Sequence, residues 1–290
     1  TCTTIPWDVE HVQVGRGAAA FRHDVVDLGD VVVRRLELTH ALFHEFRVED
    51  GWTTLVLVAR PPGPSVWNGE PNPAHGIGVL LSGRDHAATT PAGWPVIEVD
   101  VRNETLLEEV LTPGTYEWAE RRGSPVLELT PGAASSARSS LEDHVLRARV
   151  PTRARALAIL RSAIARSSAT EIDVRDLRPD AIARSARRII DRELPRNPPI
   201  SSIARELGIT MRSMQRDFVR AYHQTPKEYM LARRLHQTRL ALRSAHRKMS
   251  IAEVAHAFGF SSPSRLAEQF ARQFGHSPSA LERPQDPGSR

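Results

Sequence analysis

Two stretches near the C-terminus carry polar side chains whose types and spacing suit the edges of DNA bases. They are arginine, serine, glutamine and glutamate residues at helical spacing: Arg212, Ser213, Gln215 and Arg216, then Ser264, Arg265, Glu268 and Arg272. Arginine can bridge O6 and N7 of guanine, glutamine can pair with N6 and N7 of adenine, and glutamate can accept from N4 of cytosine. Glutamate also repels phosphate, and exposed polar residues of any helix can contact only phosphate or water.

The elements that would position these side chains follow from an internal repeat. Ala204 and Gly208 recur as Ala255 and Gly259, and after the turn the offset grows by one residue. The later matches pair large apolar residues and prolines: Met214 with Leu266, Phe218 with Phe270, Tyr222 with Phe274, and Pro226 with Pro278. The sequence therefore predicts two copies of one supersecondary unit, with a longer turn in the second.

The spacing that the two copies share is typical of two short helices that cross steeply. A small residue, Ala204 or Ala255, allows close backbone approach, and a glycine with access to positive φ allows the sharp turn. We expect the second helix of each unit to run from about Thr210 to Ala221 and from about Ser262 to Phe274. Such a helix-turn-helix buries its apolar face and leaves the polar face for the major groove.

A continuous helix from Pro226 to Leu242 is predicted between the repeats, where it would hold the two units at a fixed separation. Basic residues outside the two polar faces are candidates for phosphate contacts or for solubility. They are Arg220, Lys227, Arg233, Arg243 and Lys248.

Charge divides the chain into two unlike parts. Residues 1–179 hold 19 Arg and Lys against 24 Asp and Glu, whereas residues 180–290 hold 20 against 10. A basic segment of this kind favours a polyanionic partner, because each neutralised phosphate releases counterions. The alternative is a solvated basic face without a partner.

The N-terminal part is predicted to be β-rich. Short β-branched runs alternate with Pro and Gly turns between about residues 25 and 101, which indicates a small antiparallel sandwich or barrel. Helices are predicted over Glu104–Leu111 and, after a Gly/Ala/Ser-rich stretch at 132–140, over about 141–167. The apolar residues of that last helix could pack within the chain or form a dimer seam. Trp52, Trp67, Trp94, Phe43 and Phe46 could line an effector pocket or fill a core.

The C-terminal motifs resemble the DNA-binding domain of the AraC/XylS family of bacterial regulators. The resemblance rests on Ile251 through Ser264, on Phe270 and on Phe274-Gly275-His276-Ser277-Pro278, with further similarity around Tyr229–Leu242. It implies major-groove contacts by Arg212, Gln215 and Arg216. At the position of Glu268 the family often has a basic residue. It also implies a barrel in the N-terminal part that binds an effector and dimerises, and RNA polymerase as a partner if the protein is an activator.

These observations predict an α+β multidomain protein that binds double-stranded DNA and acts as a transcription regulator. Residues 1–140 would form a β-rich sensing domain, 141–180 a helical connector and linker with a candidate dimerisation surface, and 181–290 an all-α domain with helix-turn-helix motifs at about 200–221 and 251–274. The N-terminal domain would respond to a small organic effector or form a homodimer. The alternative is a constitutive or architectural DNA-binding protein without ligand control.

Catalytic, metal and membrane functions are not predicted. The phosphate-loop lysine and the nucleophile elbow are both absent. His40 and His44 have the spacing of a helical metal pair, but the residues between them indicate a strand, so neither a metal nor a cofactor is expected. A single cysteine, Cys2, and the lack of a long apolar stretch or signal peptide predict a cytoplasmic protein.

Overall fold

The fold comes from a computed structural model that describes residues 7–59, 62–63, 65–67, 70–122, 126–169, 178–243 and 249–281. The chain divides into two compact units. Unit 1 comprises Thr1–His11, Ala20–Thr39 and His44–Asp173, and unit 2 comprises Val12–Ala19, His40–Phe43 and Val174–Arg290. Within the predicted connector and linker at 141–180, residues 170–177 lie outside the described residues.

Twelve strands are described, and they form two sheets. They are β1 (Trp7–Gln13), β2 (Phe21–Asp27), β3 (Val31–Leu38), β4 (Leu42–Val48), β5 (Trp52–Ala59), β6 (Val66–Trp67), β7 (Glu70–Pro71), β8 (His75–Leu81), β9 (Asp85–Thr90), β10 (Trp94–Arg102), β11 (Val126–Glu128) and β12 (Ser168–Ala169). One sheet has the order β1-β4-β9-β6-β7, and the other has the order β12-β11-β8-β5-β10-β3-β2. The predicted sandwich-like region is confirmed, and β1 and β2 extend it toward the N-terminus.

Alternation along β10 gives the larger sheet two different buried faces. Ile97 and Val99 face a core shared with the helices of unit 1. Val96 lies on the opposite face, in a core shared with Phe46 and Trp67 of the smaller sheet. Because side chains alternate along a strand, Glu98 lies on the same face as Val96, between the two sheets.

Four α-helices cover the outer face of the larger sheet. They are α1 (Asn103–Glu109), α2 (Pro113–Arg122), α3 (Pro131–Leu141) and α4 (Arg153–Ile164), with a π-helical turn at Glu142–Leu146. The prediction that helix starts only after the Gly/Ala/Ser-rich stretch is wrong. Thr130 caps α3 and accepts from Ala133 N, and the small residues Ala134 and Ala137 let the helix pack closely.

The single helix predicted over about 141–167 is also wrong. The chain leaves helical structure before Pro151, and Val150 is exposed there rather than part of an apolar stripe. Beyond this break, Leu157 and Leu160 on α4 lie in the core of unit 1. Those side chains therefore pack within the chain, which leaves them unavailable for a dimer seam.

Unit 2 is helical apart from its two short N-terminal segments, so the predicted fold class is confirmed. Its described α-helices are α5 (Arg178–Glu193), α6 (Ile200–Glu206), α7 (Met211–Tyr222), α8 (Pro226–Arg243), α9 (Ile251–Ala257) and α10 (Pro263–Phe274), with 3-10 turns at Leu194–Arg196 and Pro278–Ala280. The continuous helix predicted between the repeats is confirmed as α8. Among the described residues, no helix combines the length and apolar character needed to cross a membrane.

Candidate nucleic-acid interface

The first helical pair turns as its sequence predicts. Ala204 is buried on α6, and Gly208 has φ of +66°, in the left-handed region that glycine adopts without strain. Ile209 N donates to Ala204 O at 3.1 Å, which closes the end of α6. Thr210 then caps α7 by accepting from Ser213 N at 3.1 Å. The predicted start of this helix is confirmed.

The second pair repeats this geometry with a longer turn. Ala255 is buried, Gly259 has φ of +69°, and Phe260 N donates to Ala255 O at 2.9 Å. Ser262 caps α10 by accepting from Arg265 N at 3.1 Å. The hydrogen bonds at the two turns join equivalent positions, so the sequence repeat is also a structural repeat.

The inner faces of α7 and α10 are apolar and buried. Met214 and Phe218 on α7 are fully buried, as are Leu266 and Phe270 on α10. Each phenylalanine contacts an aromatic ring one turn later, with Phe218 and Tyr222 4.7 Å apart at their centroids. These contacts confirm the predicted inward residues, so the opposite face of each helix is the one left for a ligand.

The outward face of α7 is polar, and two of its side chains contact the buried carboxyl group of Asp217. Arg212, Gln215 and Arg216 are exposed, whereas Ser213, also predicted to point outward, is only partly exposed. Asp217 is buried; Arg216 Nε lies 2.9 Å from its Oδ1, and Ser213 donates to Oδ2 at 3.3 Å. The Arg216 side chain remains 74% exposed, so Asp217 anchors one edge of the guanidinium and leaves the rest toward solvent.

The outward face of α10 carries less unpaired positive charge. Ser264, Arg265, Glu268 and Arg272 are all exposed, as predicted. Arg265 Nη1 and Glu268 Oε2 lie 2.7 Å apart, one helical turn from each other. Because this pair is internally neutral, Arg272 supplies the uncompensated charge among these four residues.

The basic residues outside these faces divide into two groups. Arg220, Lys227 and Arg243 are exposed, which is compatible with phosphate contacts. Arg233 is buried, and its Nε lies 3.1 Å from Asp191 Oδ1, so the prediction of a phosphate contact there is wrong. Arg233 lies on the turn of α8 that packs against α5, where Tyr229 also donates to Asp191 at 2.9 Å. Lys248 lies outside the described residues.

A family model described as a helix-turn-helix domain matches residues 203–283. This range contains both turns, both polar faces and the intervening helix α8. Residues 203–283 are an AraC-type helix-turn-helix domain. The match supports a DNA-binding regulator of transcription. No curated protein sequence matches the chain.

Solved structures similar to the chain include several AraC-type proteins. A regulator from Chromobacterium violaceum is 23% identical over 34% of this chain and 87% of its own, with a TM-score of 0.32. A probable AraC family regulator from Rhodopseudomonas palustris is 22% identical over 36% and 99%, with a TM-score of 0.34. ToxT from Vibrio cholerae is 10% identical over 95% and 97%, with a TM-score of 0.31.

Within the helix-turn-helix domain, Arg234 of α8 holds the second turn in place. Its guanidinium donates to Phe258 O at 2.9 Å, to Asn197 Oδ1 at 2.9 Å and to Gly259 O. It also lies 4.4 Å from the ring centroid of Phe260. Burial lowers the pKa of Arg234, but an arginine stays protonated in proteins. Arg234 lies in the segment Tyr229–Leu242 that resembles the family, but its partners are distant in the chain and the sequence does not indicate this role.

Proposed function

We propose that this protein is a sequence-specific transcription regulator that places α7 and α10 in successive major-groove segments on one face of DNA. The observation that carries the proposal is the repeated turn, which gives two helices with buried apolar faces and exposed polar faces. Helix α8 packs against both of them, and Arg234 on α8 holds the turn that precedes α10. If one turn of duplex separates the two segments, the base contacts should lie about 10 base pairs apart.

The two helices contribute unequally in this proposal. Arg212, Gln215 and Arg216 on α7 contact base edges, and Ser213 contributes through its position at the start of the helix. On α10, Ser264, Arg265, Glu268 and Arg272 form the corresponding set, but Arg265 must share its charge with Glu268. We therefore expect α7 to supply more of the specificity. Arg220 and Lys227 contact phosphates, which adds affinity for all sequences.

We further propose that unit 1 controls DNA binding by the helix-turn-helix domain. A small organic effector or homodimer formation would change how readily the DNA-binding domain engages its operator. An effector can do so only as far as its affinity differs between the two states. Such a regulator would work in the cytoplasm, and as an activator it would contact RNA polymerase. A cavity between the two sheets of unit 1 supports ligand control.

The test is selection of bound sequences from a random duplex pool by the full chain, at near-physiological salt. We expect a two-part motif. Arg216→Ala should relax preference at one base pair, at a cost of about 1–3 kcal/mol. Lys227→Ala, the matched control, removes an exposed cation from the start of α8. It should weaken binding to all sequences alike and flatten the salt dependence.

Two results would contradict this proposal. Recovery of no preferred sequence would favour an architectural or non-specific DNA-binding protein. An unchanged motif with Arg216→Ala would show that this face of α7 does not contact the bases. The effect of a ligand of unit 1 on DNA binding can be measured only on a known motif, so the motif is established first.

A further inference from the structure

Unit 1 contains a cavity between its two sheets. Its walls are formed mainly by apolar side chains, including Leu36, Val56, Leu80, Val96, Trp67 and Trp94. The cavity is small, with about 490 Å³ of empty space even when the part open to solvent is included. Of the five aromatic residues considered from the sequence, Trp67, Trp94 and Phe46 line it. Trp52 lies instead in the core between the sheets, and Phe43 is buried in unit 2.

The Trp67 ring in the cavity wall can take its position only because residue 78 is a glycine, without a side chain. A Cβ added at Gly78 would lie 1.7 Å from the Trp67 ring, so this indole rests directly on the backbone of β8. The indole nitrogens of Trp67 and Trp94 are buried and have no hydrogen-bond acceptor among the described residues. The faces of the two indole rings offer flat apolar surface to an occupant of the cavity, while their N–H groups are polar.

Glu98 introduces a carboxyl group into this apolar lining. It is 6% exposed, and among the described residues it accepts no hydrogen bond. Its contact with Arg34 measures 3.3 Å, whereas Arg34 lies closer to Asp100, at 2.8 Å. Asp100 also accepts from Thr54 at 2.6 Å. Two carboxyl groups thus share one guanidinium, and Glu98 is the less well satisfied of the two.

The histidines that line the cavity supply no positive charge to this carboxyl group. His44 Nδ1 lies 2.7 Å from His11 Nδ1, and His44 Nε2 lies 2.8 Å from Thr90 Oγ1. Both ring nitrogens of His44 are therefore engaged. Burial lowers the pKa of His44 and of His11, which favours their neutral forms. Neither histidine therefore brings a positive charge to Glu98.

We propose that this cavity binds a small apolar ligand that carries a protonated amine, with its apolar body against Trp67 and Trp94 and its ammonium group at Glu98. An ammonium would supply Glu98 with N–H donors and with a full positive charge, which His11 and His44 do not provide. An organic acid of the same shape would place a third carboxylate beside Glu98 and Asp100, so the cavity should reject it. As an effector site, the cavity rests on the function proposed above.

The test compares three probes of nearly equal shape: 2-phenylethylamine, 2-phenylethanol and 3-phenylpropionate. Binding to the full chain is measured by tryptophan fluorescence and by calorimetry at neutral pH, without DNA. We expect the amine to bind at least about tenfold more tightly than the alcohol, since a hydrogen bond to a charged group is worth more than a neutral one. The acid should bind more weakly than either.

Two variants separate charge from shape. Glu98→Gln should remove the preference for the amine while leaving the alcohol bound, whereas Val96→Phe should fill the cavity and weaken both probes with Glu98 intact. Equal binding of acid and amine to the unmodified chain would overturn the proposal, as would an unchanged amine preference in Glu98→Gln. The absence of DNA makes this outcome independent of the proposed regulatory function, which the selection experiment tests separately.

Discussion

Replacement of Glu98 by glutamine should change how the stability of unit 1 depends on pH. Burial raises the pKa of this carboxyl group to about 7 from 4.5, and nearby Asp100 adds to the effect while Arg34 opposes it. In the unfolded chain the group ionises at its ordinary pKa. As pH rises between these two values, the unfolded state loses the proton before the folded state does, so the free energy of unfolding falls.

The magnitude follows from the same shift. A change of about 2.5 units, from 4.5 to about 7, corresponds to about 3 kcal/mol at 1.36 kcal/mol per unit. Glutamine has the same shape and does not ionise. The stability of Glu98→Gln relative to the unmodified chain should therefore rise by about 3 kcal/mol between about pH 4.5 and 8. His11 and His44, whose pKa values are lowered, act in the opposite direction, but both proteins contain them.

Tryptophan emission during urea unfolding is a suitable assay because all five tryptophans lie between residues 7 and 118. The signal from the full chain therefore reports on the N-terminal part. Glu108→Gln, at an exposed position on α1, is the matched control and should not change the shape of the pH profile. A constant difference between Glu98→Gln and the unmodified chain across this pH range would refute the reasoning about the buried carboxyl group.

Two further predictions concern the DNA-binding domain. Arg234→Ala removes three hydrogen bonds to Phe258, Gly259 and Asn197 and should destabilise the domain by about 3 kcal/mol. Footprinting on the selected operator should show loss of the α10 half before the α7 half. Gly208→Ala should cost about 1–2 kcal/mol through its positive φ alone. Gly259→Ala should cost more, since its Cβ would also lie 3.3 Å from that of Asn197, and circular dichroism during denaturation measures both.

These predictions can fail in distinct ways. An even loss of both operator halves with Arg234→Ala would mean that this residue supports the whole domain rather than the placement of the second turn. Equal costs for the two glycine substitutions would mean that the contact with Asn197 relaxes freely. In either case the repeated turn would still stand, because the backbone hydrogen bonds that close it, from Ile209 N to Ala204 O and from Phe260 N to Ala255 O, do not involve the Arg234 side chain.

The sequence determined the helical repeat in detail. The glycines at the turns, the caps Thr210 and Ser262, and the apolar spacing that buries Met214 and Phe218 are local features, set by backbone conformation and by the period of the helix. Exposure of Arg212, Gln215 and Arg216 followed from the same period. Their contacts with bases stay a prediction, as do the proposed domain boundaries.

The tertiary structure decided the features that depend on distant neighbours. Helical periodicity did not show that Arg233 points toward Asp191 on α5, or that Asp217 is buried beside Arg216. The prediction from composition failed for α3, because Gly, Ala and Ser at 132–140 are typical of a loop. Only the tertiary structure shows that Ala134 and Ala137 pack in the core of unit 1 as part of a helix.

The cavity in unit 1 shows most clearly which features follow from local pattern and which depend on the tertiary structure. Alternation along a strand places Glu98 and Val96 on one face, but not which face is buried or what lies opposite. Only the pairing of β10 between β3 and β5 brings Glu98 beside Arg34, and only the packing of the second sheet places Trp67 over Gly78. Local pattern follows from the chemistry of neighbouring residues in the chain. Burial, and the pKa shifts that it produces, depends on residues that folding brings together from far apart.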